Sequence, residues 1–74
     1  MIEINMKELG NRIKELRCEL GLSQKQLAEK IGVATNTVSQ YESGTSKTSI
    51  DVLANLSVAL DTTCDFLLGL EHKF

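Results

Sequence analysis

Apolar residues recur along most of the chain at intervals of three and four, the spacing that places them on one face of an α-helix. This pattern predicts five helices with short loops, and strand-like alternation is confined to residues 1–4. The first helix is expected over about 6–20, where Asn5 and Glu8 form a capping pair and Gly21 ends the helix. The residues predicted to face inward are Leu9, Ile13 and Leu16.

The segment 23–44 contains two short amphipathic helices joined by a tight turn at Gly32. Ser23 is expected to cap the first helix in a capping box with Gln26, and Gly32 is expected to end it in the left-handed conformation. Gly44 ends the second helix in the same way. The predicted inward residues are Leu27, Ala28 and Ile31, then Val38 and Tyr41. Two helices so arranged form a helix-turn-helix, whose second helix can enter the major groove of DNA.

The remaining apolar pattern predicts two more helices. Ser49 is expected to cap helix four, which ends near Asp61. Thr62 or Thr63 then caps a short last helix, which ends at Gly69. The residues expected to enter the core are Ile50, Leu53, Leu56 and Leu60 of helix four, and Phe66 and Leu67 of the last helix. The predicted fold class is therefore all-α, a compact five-helix bundle.

The ordered set of these segments resembles the Cro/CI-type, or XRE-like, helix-turn-helix regulators of phages and bacteria. The resemblance rests on IKELRCELGLSQ at 13–24, LAEKIGV at 27–33, TVSQYESG at 37–44, SIDVLANLSVAL at 49–60 and DFLLG at 65–69. It implies a lambda repressor-like DNA-binding domain. The implied function is a sequence-specific double-stranded DNA-binding transcriptional regulator, a repressor that binds a near-palindromic operator as a homodimer.

The resemblance also implies which residues contact DNA. The expected base contacts are Thr35, Asn36, Ser39 and Gln40. The expected phosphate contacts are Gln24, Lys25, Ser43, Thr45, Ser46 and Lys47. Gln and Asn amides can bond adenine through two atoms, and Thr can touch a thymine methyl group. Two alternatives stay open: a merely solvated helix face, and a Thr35 hydroxyl used as the cap because Ala34 cannot cap.

Two structural contacts follow from the same pattern. An ion pair between Arg17 and Glu42 is implied by the resemblance and would hold the second motif helix on the scaffold; the alternative is two independent surface charges. A dimer contact is expected in the C-terminal segment, because its apolar residues exceed what a small core needs. These residues are Leu68, Leu70 and Phe74. Chance exposure of an apolar tail is the alternative there.

The length of 74 residues fits one domain over 1–74, with a short N-terminal arm at 1–5 and a tail at 70–74. The net charge is −2, which is unusual for a nucleic-acid partner. The acidic excess lies in the second half of the chain, but only Glu42 is acidic between Thr35 and Ile50. We therefore expect DNA binding with modest non-specific affinity and a shallow dependence on salt.

Other classes of function find little support in the residues. Cys18 and Cys64 are too few and too far apart for a zinc site and are expected to be free thiols, and His72 is the only histidine. No cofactor, metal or small-molecule ligand is expected. A catalytic nucleophile would need a base within hydrogen-bond reach, so we expect no enzyme.

The chain also lacks an apolar run near the ~20 residues of a membrane span, and a signal-peptide pattern, so a cytoplasmic protein is expected. One alternative function stays open because of the acidic balance and the uncharged second motif helix. The chain could be a helix-turn-helix protein-interaction module, such as an antirepressor or antitoxin-like partner.

Overall fold

The computed structural model describes residues 2–70, and this part of the chain forms five helices without a strand. The helices are α1 (Met6–Glu19), α2 (Gln24–Ile31), α3 (Thr35–Ser43), α4 (Ile50–Ala59) and α5 (Cys64–Leu68). The predicted all-α class and five-helix order are confirmed. Over residues 2–70, no helix has both the length and the apolar character needed to cross a membrane.

Local signals place the helix ends where the sequence predicts them. Side-chain caps are supplied by Asn5, Ser23, Ser49 and Thr63 for α1, α2, α4 and α5. The Ser23 hydroxyl accepts from the Gln26 backbone N–H at 3.0 Å, and the Gln26 side chain accepts from the Ser23 N–H at 2.8 Å. Gly32 follows with φ of 74°, in the left-handed region. The capping box of α2 is therefore complete.

The start of α3 differs from the other helix starts. Ala34 occupies the cap position and offers no side-chain hydrogen bond. Thr35 is the first residue of the helix, so the alternative in which its hydroxyl caps α3 is not what the structure shows. The N-terminus of α3 is consequently held by its packing on the neighbouring helices.

The core draws at least one residue from every helix. Its buried members are Leu9, Ile13, Leu27, Ala28, Ile31, Val38, Tyr41, Leu56, Leu60 and Leu67. Leu16 and Leu53 are half-buried and pack against this cluster. The inward faces predicted for the first three helices are confirmed, because the apolar spacing matches the turn of each helix.

Two predicted core residues lie at the surface instead. Ile50 is 84% exposed, because at 3.6 residues per turn it points roughly 120° away from Leu56, the buried centre of α4. Phe66 is 38% exposed, whereas the next residue, Leu67, is fully buried. Neighbours on a helix diverge by about 100°, so this five-residue helix presents only one of the two to the core. The expectation that Ile50 and Phe66 enter the core was wrong.

Two glycines set the close approach of α1 and α3. A methyl group on Gly10 would overlap the backbone carbonyl oxygens of Tyr41 and Glu42. At the other end of the contact, a Cβ on Gly44 would lie 2.8 Å from the Lys7 Cα, and the φ of 78° already favours glycine there. The apolar pattern of the sequence gives Gly10 no role, although an isolated glycine inside a helical pattern can mark such a packing position.

Replacing Gly10 with alanine tests this contact. We expect Gly10→Ala to lower the free energy of unfolding by about 1–3 kcal/mol, because the added methyl group must push α3 away from α1. Alanine on its own favours a helix by about 1 kcal/mol over glycine, so the expected sign is opposite to helix propensity. Urea unfolding followed by circular dichroism measures the difference. Asn11→Ala, at the neighbouring exposed position, should change stability by less than about 0.5 kcal/mol. Equal or higher stability of Gly10→Ala would contradict the packing argument.

Candidate nucleic-acid interface

The segment 23–44 folds as a helix, a tight turn and a second helix. The turn begins at Gly32, and the Val33 N–H donates to the Ala28 carbonyl at 3.0 Å. Ala34 is extended, with φ of −74° and ψ of 153°, so the chain changes direction before α3 begins. α2 and α3 pack directly on each other, and the apolar side chains between them leave the opposite side of α3 to solvent.

The outer side of α3 presents four uncharged polar side chains. The predicted base contacts Thr35, Asn36, Ser39 and Gln40 are all exposed. At about 100° per residue they cover one continuous face, with Asn36 and Gln40 one turn apart. The buried residues of α3, which are Val38, Tyr41 and Glu42, occupy the other side. The structure therefore brings the predicted base contacts together on one helix face.

A buried carboxylate lies under this face. Glu42 is 7% exposed, and the Arg17 Nε donates to its Oε2 at 2.6 Å while the Arg17 Nη2 donates to its Oε1 at 3.2 Å. The Gln24 Nε2 also donates to Glu42 Oε1, at 3.1 Å. The third Arg17 bond goes from Nη1 to the Leu22 carbonyl, at 2.7 Å. The ion pair implied by the resemblance is present, and it connects α1, the start of α2 and the end of α3.

The charged groups of this buried pair have hydrogen-bond partners, as a buried charge requires. Two nitrogens of one guanidinium meet both carboxylate oxygens, which is the bidentate geometry that makes such pairs strong. The hydrogen bonds that Arg17 donates to Glu42 hold the pKa of Arg17 above its ordinary value. Within residues 2–70, no buried side-chain nitrogen or oxygen lacks a hydrogen-bond partner. The surface-charge alternative for Arg17 and Glu42 is therefore wrong.

The loop after α3 folds back on Gln40. The Ser43 hydroxyl donates to the Gln40 backbone carbonyl at 3.1 Å, and the Thr45 hydroxyl donates to the same oxygen at 3.4 Å. The Ser46 hydroxyl donates to the Gln40 side-chain Oε1 at 3.2 Å. Three residues predicted as phosphate contacts thus have hydroxyls engaged with one predicted base contact. The sequence could not show this, because it depends on how the loop turns after Gly44.

The other predicted phosphate contacts lie around the same face. Lys25 and Lys47 are exposed, and Gln24 is half-buried because its amide reaches Glu42. α1 adds two residues that were not predicted from the sequence, Asn11 and Lys14. They border a cleft of about 210 Å³ that is completed by Gln24, Ser39, Glu42 and Ser43.

The predicted dimer residues and cysteines lie elsewhere. Leu68 and Leu70 are half-buried, and Phe74 lies outside the described residues, so that interface stays a prediction. His72 lies outside them as well. Cys18 is exposed and Cys64 half-buried, and both are free thiols.

The sequence and the fold of this chain are similar to those of known helix-turn-helix proteins. A sequence model described as Helix-turn-helix matches residues 13–67. The HTH-type transcriptional regulator AnsR of Bacillus subtilis is 43% identical over 63 residues, which are 85% of this chain and 54% of AnsR. This chain therefore spans about half the length of that relative.

Two solved structures with bound DNA share the fold. The P22 c2 repressor in complex with a synthetic operator has a TM-score of 0.81 and 32% identity, with 85% of this chain and 96% of that chain covered. The biofilm regulator SinR in complex with DNA has a TM-score of 0.76 and 41% identity, with 81% of this chain and 97% of that chain covered. In both comparisons nearly the whole of the solved chain corresponds to this domain.

Removing the buried carboxylate tests whether it holds α3. We expect Glu42→Ala to lower the free energy of unfolding by about 3–5 kcal/mol, because Arg17 loses its partner in a buried setting. The matched control is Glu8→Ala, which breaks an exposed pair with Arg12 that spans 3.9 Å. That change should cost less than about 1 kcal/mol. Chemical unfolding of both variants measures the difference, and a Glu42→Ala loss as small as that of the control would overturn the assignment.

Proposed function

We propose that this chain, which belongs to the Helix-turn-helix family, binds double-stranded DNA by sequence and acts as a transcriptional regulator, most simply a repressor. The observation that carries the proposal is the uncharged polar face of α3, exposed along its length and fixed from behind by the Arg17–Glu42 pair. An α-helix of this kind fits the major groove. The names of AnsR, the P22 c2 repressor and SinR support the same class of function.

In this proposal α3 reads bases. Asn36 and Gln40 project from adjacent turns, and their amides can donate and accept along one stretch of groove. Thr35 and Ser39 complete the face with a methyl group and a hydroxyl. Because Ala34 occupies the N-cap position of α3, the Thr35 hydroxyl does not cap the helix and is available for a hydrogen bond to a base.

The phosphate contacts would come from the edges of the same face. Gln24 and Lys25 begin α2, Ser43 ends α3, and Thr45, Ser46 and Lys47 lie in the loop that follows α3. Backbone N–H groups at the start of α2 add fixed positive potential toward a phosphate. Glu42 is the one acidic residue of α3, and its charge is compensated by Arg17. The negative net charge of the chain therefore does not prevent contact on this side.

Ser46 gains a second role in this proposal. Its hydroxyl donates to the Gln40 Oε1, so it fixes which end of the amide faces away from the loop. The Gln40 Nε2 is then presented as a donor to acceptor atoms of a base.

The regulator is proposed to act as a homodimer on a near-palindromic operator. Two copies related by a two-fold axis would place their α3 helices about 34 Å apart, one turn of DNA. The C-terminal residues Leu68, Leu70 and Phe74 are one surface proposed for that contact. We assign no catalytic role to the domain, and we propose that it acts in the cytoplasm.

A gel-shift experiment tests the proposed function. Random-sequence duplex DNA should be retarded at low salt, and the shift should disappear as salt rises. Selection of bound sites from a random pool should then yield a two-fold related sequence. No shift at micromolar protein would favour the alternative, a protein-interaction module that uses the same surface.

Gln40 and Lys47 are expected to act differently on DNA. Gln40→Ala should relax the preference at one base pair per half-site by about 1–3 kcal/mol, because a base contact is lost. Lys47→Ala should weaken binding to all sequences alike and reduce the slope of the salt dependence by about one unit. Titrations against the selected site, its single-pair variants and a random duplex measure both effects. An equal loss by Gln40→Ala on specific and random duplexes would show a backbone contact instead.

The Ser46→Ala variant distinguishes two roles of the Ser46 hydroxyl, which are orienting the Gln40 amide and contacting a phosphate. If Ser46 orients Gln40, this change should reduce discrimination at the same base pair as Gln40→Ala, by about threefold or more, since the hydrogen bond that fixes the amide is lost. Thr45→Val removes a neighbouring hydroxyl that bonds the Gln40 backbone carbonyl and the Ser43 hydroxyl, so it should leave that discrimination intact. A uniform loss of affinity by Ser46→Ala, with discrimination retained, would assign Ser46 to phosphate only.

A further inference from the structure

The outer side of α4 carries an exposed apolar stripe. Ile50, Ala54 and Val58 recur every fourth residue, and all three are exposed, with Val58 at 82%. The opposite side of α4 packs into the core through Leu56, so this stripe is not needed to hold the helix. Two large aliphatic side chains lie at its ends and a small one lies at its centre.

A cleft opens at the C-terminal end of the stripe. Its volume is about 320 Å³, and its lining residues are Lys30, Asn55, Val58 and Ala59. Lys30 comes from α2 and brings a basic group to this end of α4. Its methylene stem can cover apolar surface while the ammonium group stays in water. The cleft can therefore take an aliphatic side chain beside a negative charge.

The two ends of this face complement each other. At the N-terminal end, Ile50 is an exposed aliphatic side chain followed directly by the carboxylate of Asp51. At the C-terminal end, the cleft offers Val58 as an aliphatic wall and Lys30 as a positive charge. Asp51 and Asn55 follow Ile50 and Ala54 by one residue each, so both lie on the same edge of the stripe. Asn55 borders the cleft with Lys30, which places Asp51 and Lys30 along one edge at opposite ends.

We infer that this face of α4 binds the same face of a second copy of the chain, with the two α4 helices antiparallel. A two-fold axis at Ala54 brings Ile50 of each copy to the cleft of the other copy, and Asp51 of each copy to Lys30 of the other. A parallel arrangement would instead leave Asp51 of one copy and Lys30 of the other at opposite ends of the contact. The small side chain of Ala54 allows the helices to approach at the crossing point. This contact between the two α4 helices would join the copies of the homodimer proposed above, and it rests on that part of the proposed function.

A matched pair of lysine substitutions tests the location of the contact. Sedimentation of the full chain without DNA, over a range of concentrations, gives the dimer dissociation constant. Val58→Lys should raise this constant by at least about tenfold, because a charge replaces the aliphatic wall of the cleft that receives Ile50 of the other copy, and the two-fold axis repeats the change at both ends of the contact. Leu20→Lys removes an exposed aliphatic residue at the end of α1, away from α4, and should leave the constant within about twofold. Circular dichroism checks that both variants fold.

Charge reversal tests the antiparallel register. Asp51→Lys and Lys30→Asp each place like charges together in their own homodimers, and each should weaken dimerisation by about fivefold to tenfold. When the two variants are mixed, each contact again joins a lysine and an aspartate. The mixture should therefore form a heterodimer about as tightly as the unmodified chain.

Three outcomes would overturn the inference. The unmodified chain could remain a monomer at high concentration. Val58→Lys could dimerise normally while truncation after Gly69 gives a monomer, which would locate the contact in the C-terminal segment. The mixture of charge variants could stay as weak as its components, which would exclude the antiparallel register. Because no DNA is present, failure of the DNA-binding proposal would appear in the gel shift and not in these measurements.

Discussion

The contact between α1 and α3 is the constraint on which the surface of this domain depends. Gly10 lets the backbone of α1 touch the carbonyl groups of Tyr41 and Glu42, and Gly44 does the same at the other end of the contact. The Arg17–Glu42 pair then fixes the rotation of α3 about its own axis. Because α3 has no side-chain cap and few apolar residues, this external support determines which of its residues face solvent.

The buried pair also resolves an electrostatic difficulty. A carboxylate inside a protein costs several kcal/mol unless it is paired and hydrogen-bonded, and one near DNA would repel phosphate. Here Arg17 and Gln24 supply three hydrogen bonds to Glu42, so the acid serves as an anchor instead of a repulsive charge. The exposed face of α3 is left neutral, which suits reading by hydrogen bonds more than by net charge.

Most of the fold could be predicted because its signals are local. The caps at Ser23 and Thr63 and the left-handed Gly32 act within one turn of chain, so their outcome does not depend on distant residues. Features that depend on contacts between two helices could not be predicted from such local signals. Ile50 was placed wrongly because the direction of α4 relative to the core decides its exposure. The Arg17–Glu42 pair could be predicted only from the family resemblance. The hydrogen bond between Ser46 and Gln40 could not be predicted, because it depends on the geometry of the loop after α3.

On the proposed function, the weak DNA binding expected of a single copy links the two exposed faces of the molecule. A neutral α3 with few cations around it gains little from phosphate neutralisation, so one domain on one half-site would bind weakly. Coupling two domains makes the second contact intramolecular and raises affinity without any new contact to DNA. Coupling also increases sequence discrimination, because the discrimination of the dimer is the product of the discrimination by each of its two α3 helices. On the proposed function, a chain that binds DNA with an uncharged helix is therefore expected to depend on self-association, and the apolar stripe of α4 lies on a helix that packs chiefly on α2 and α5.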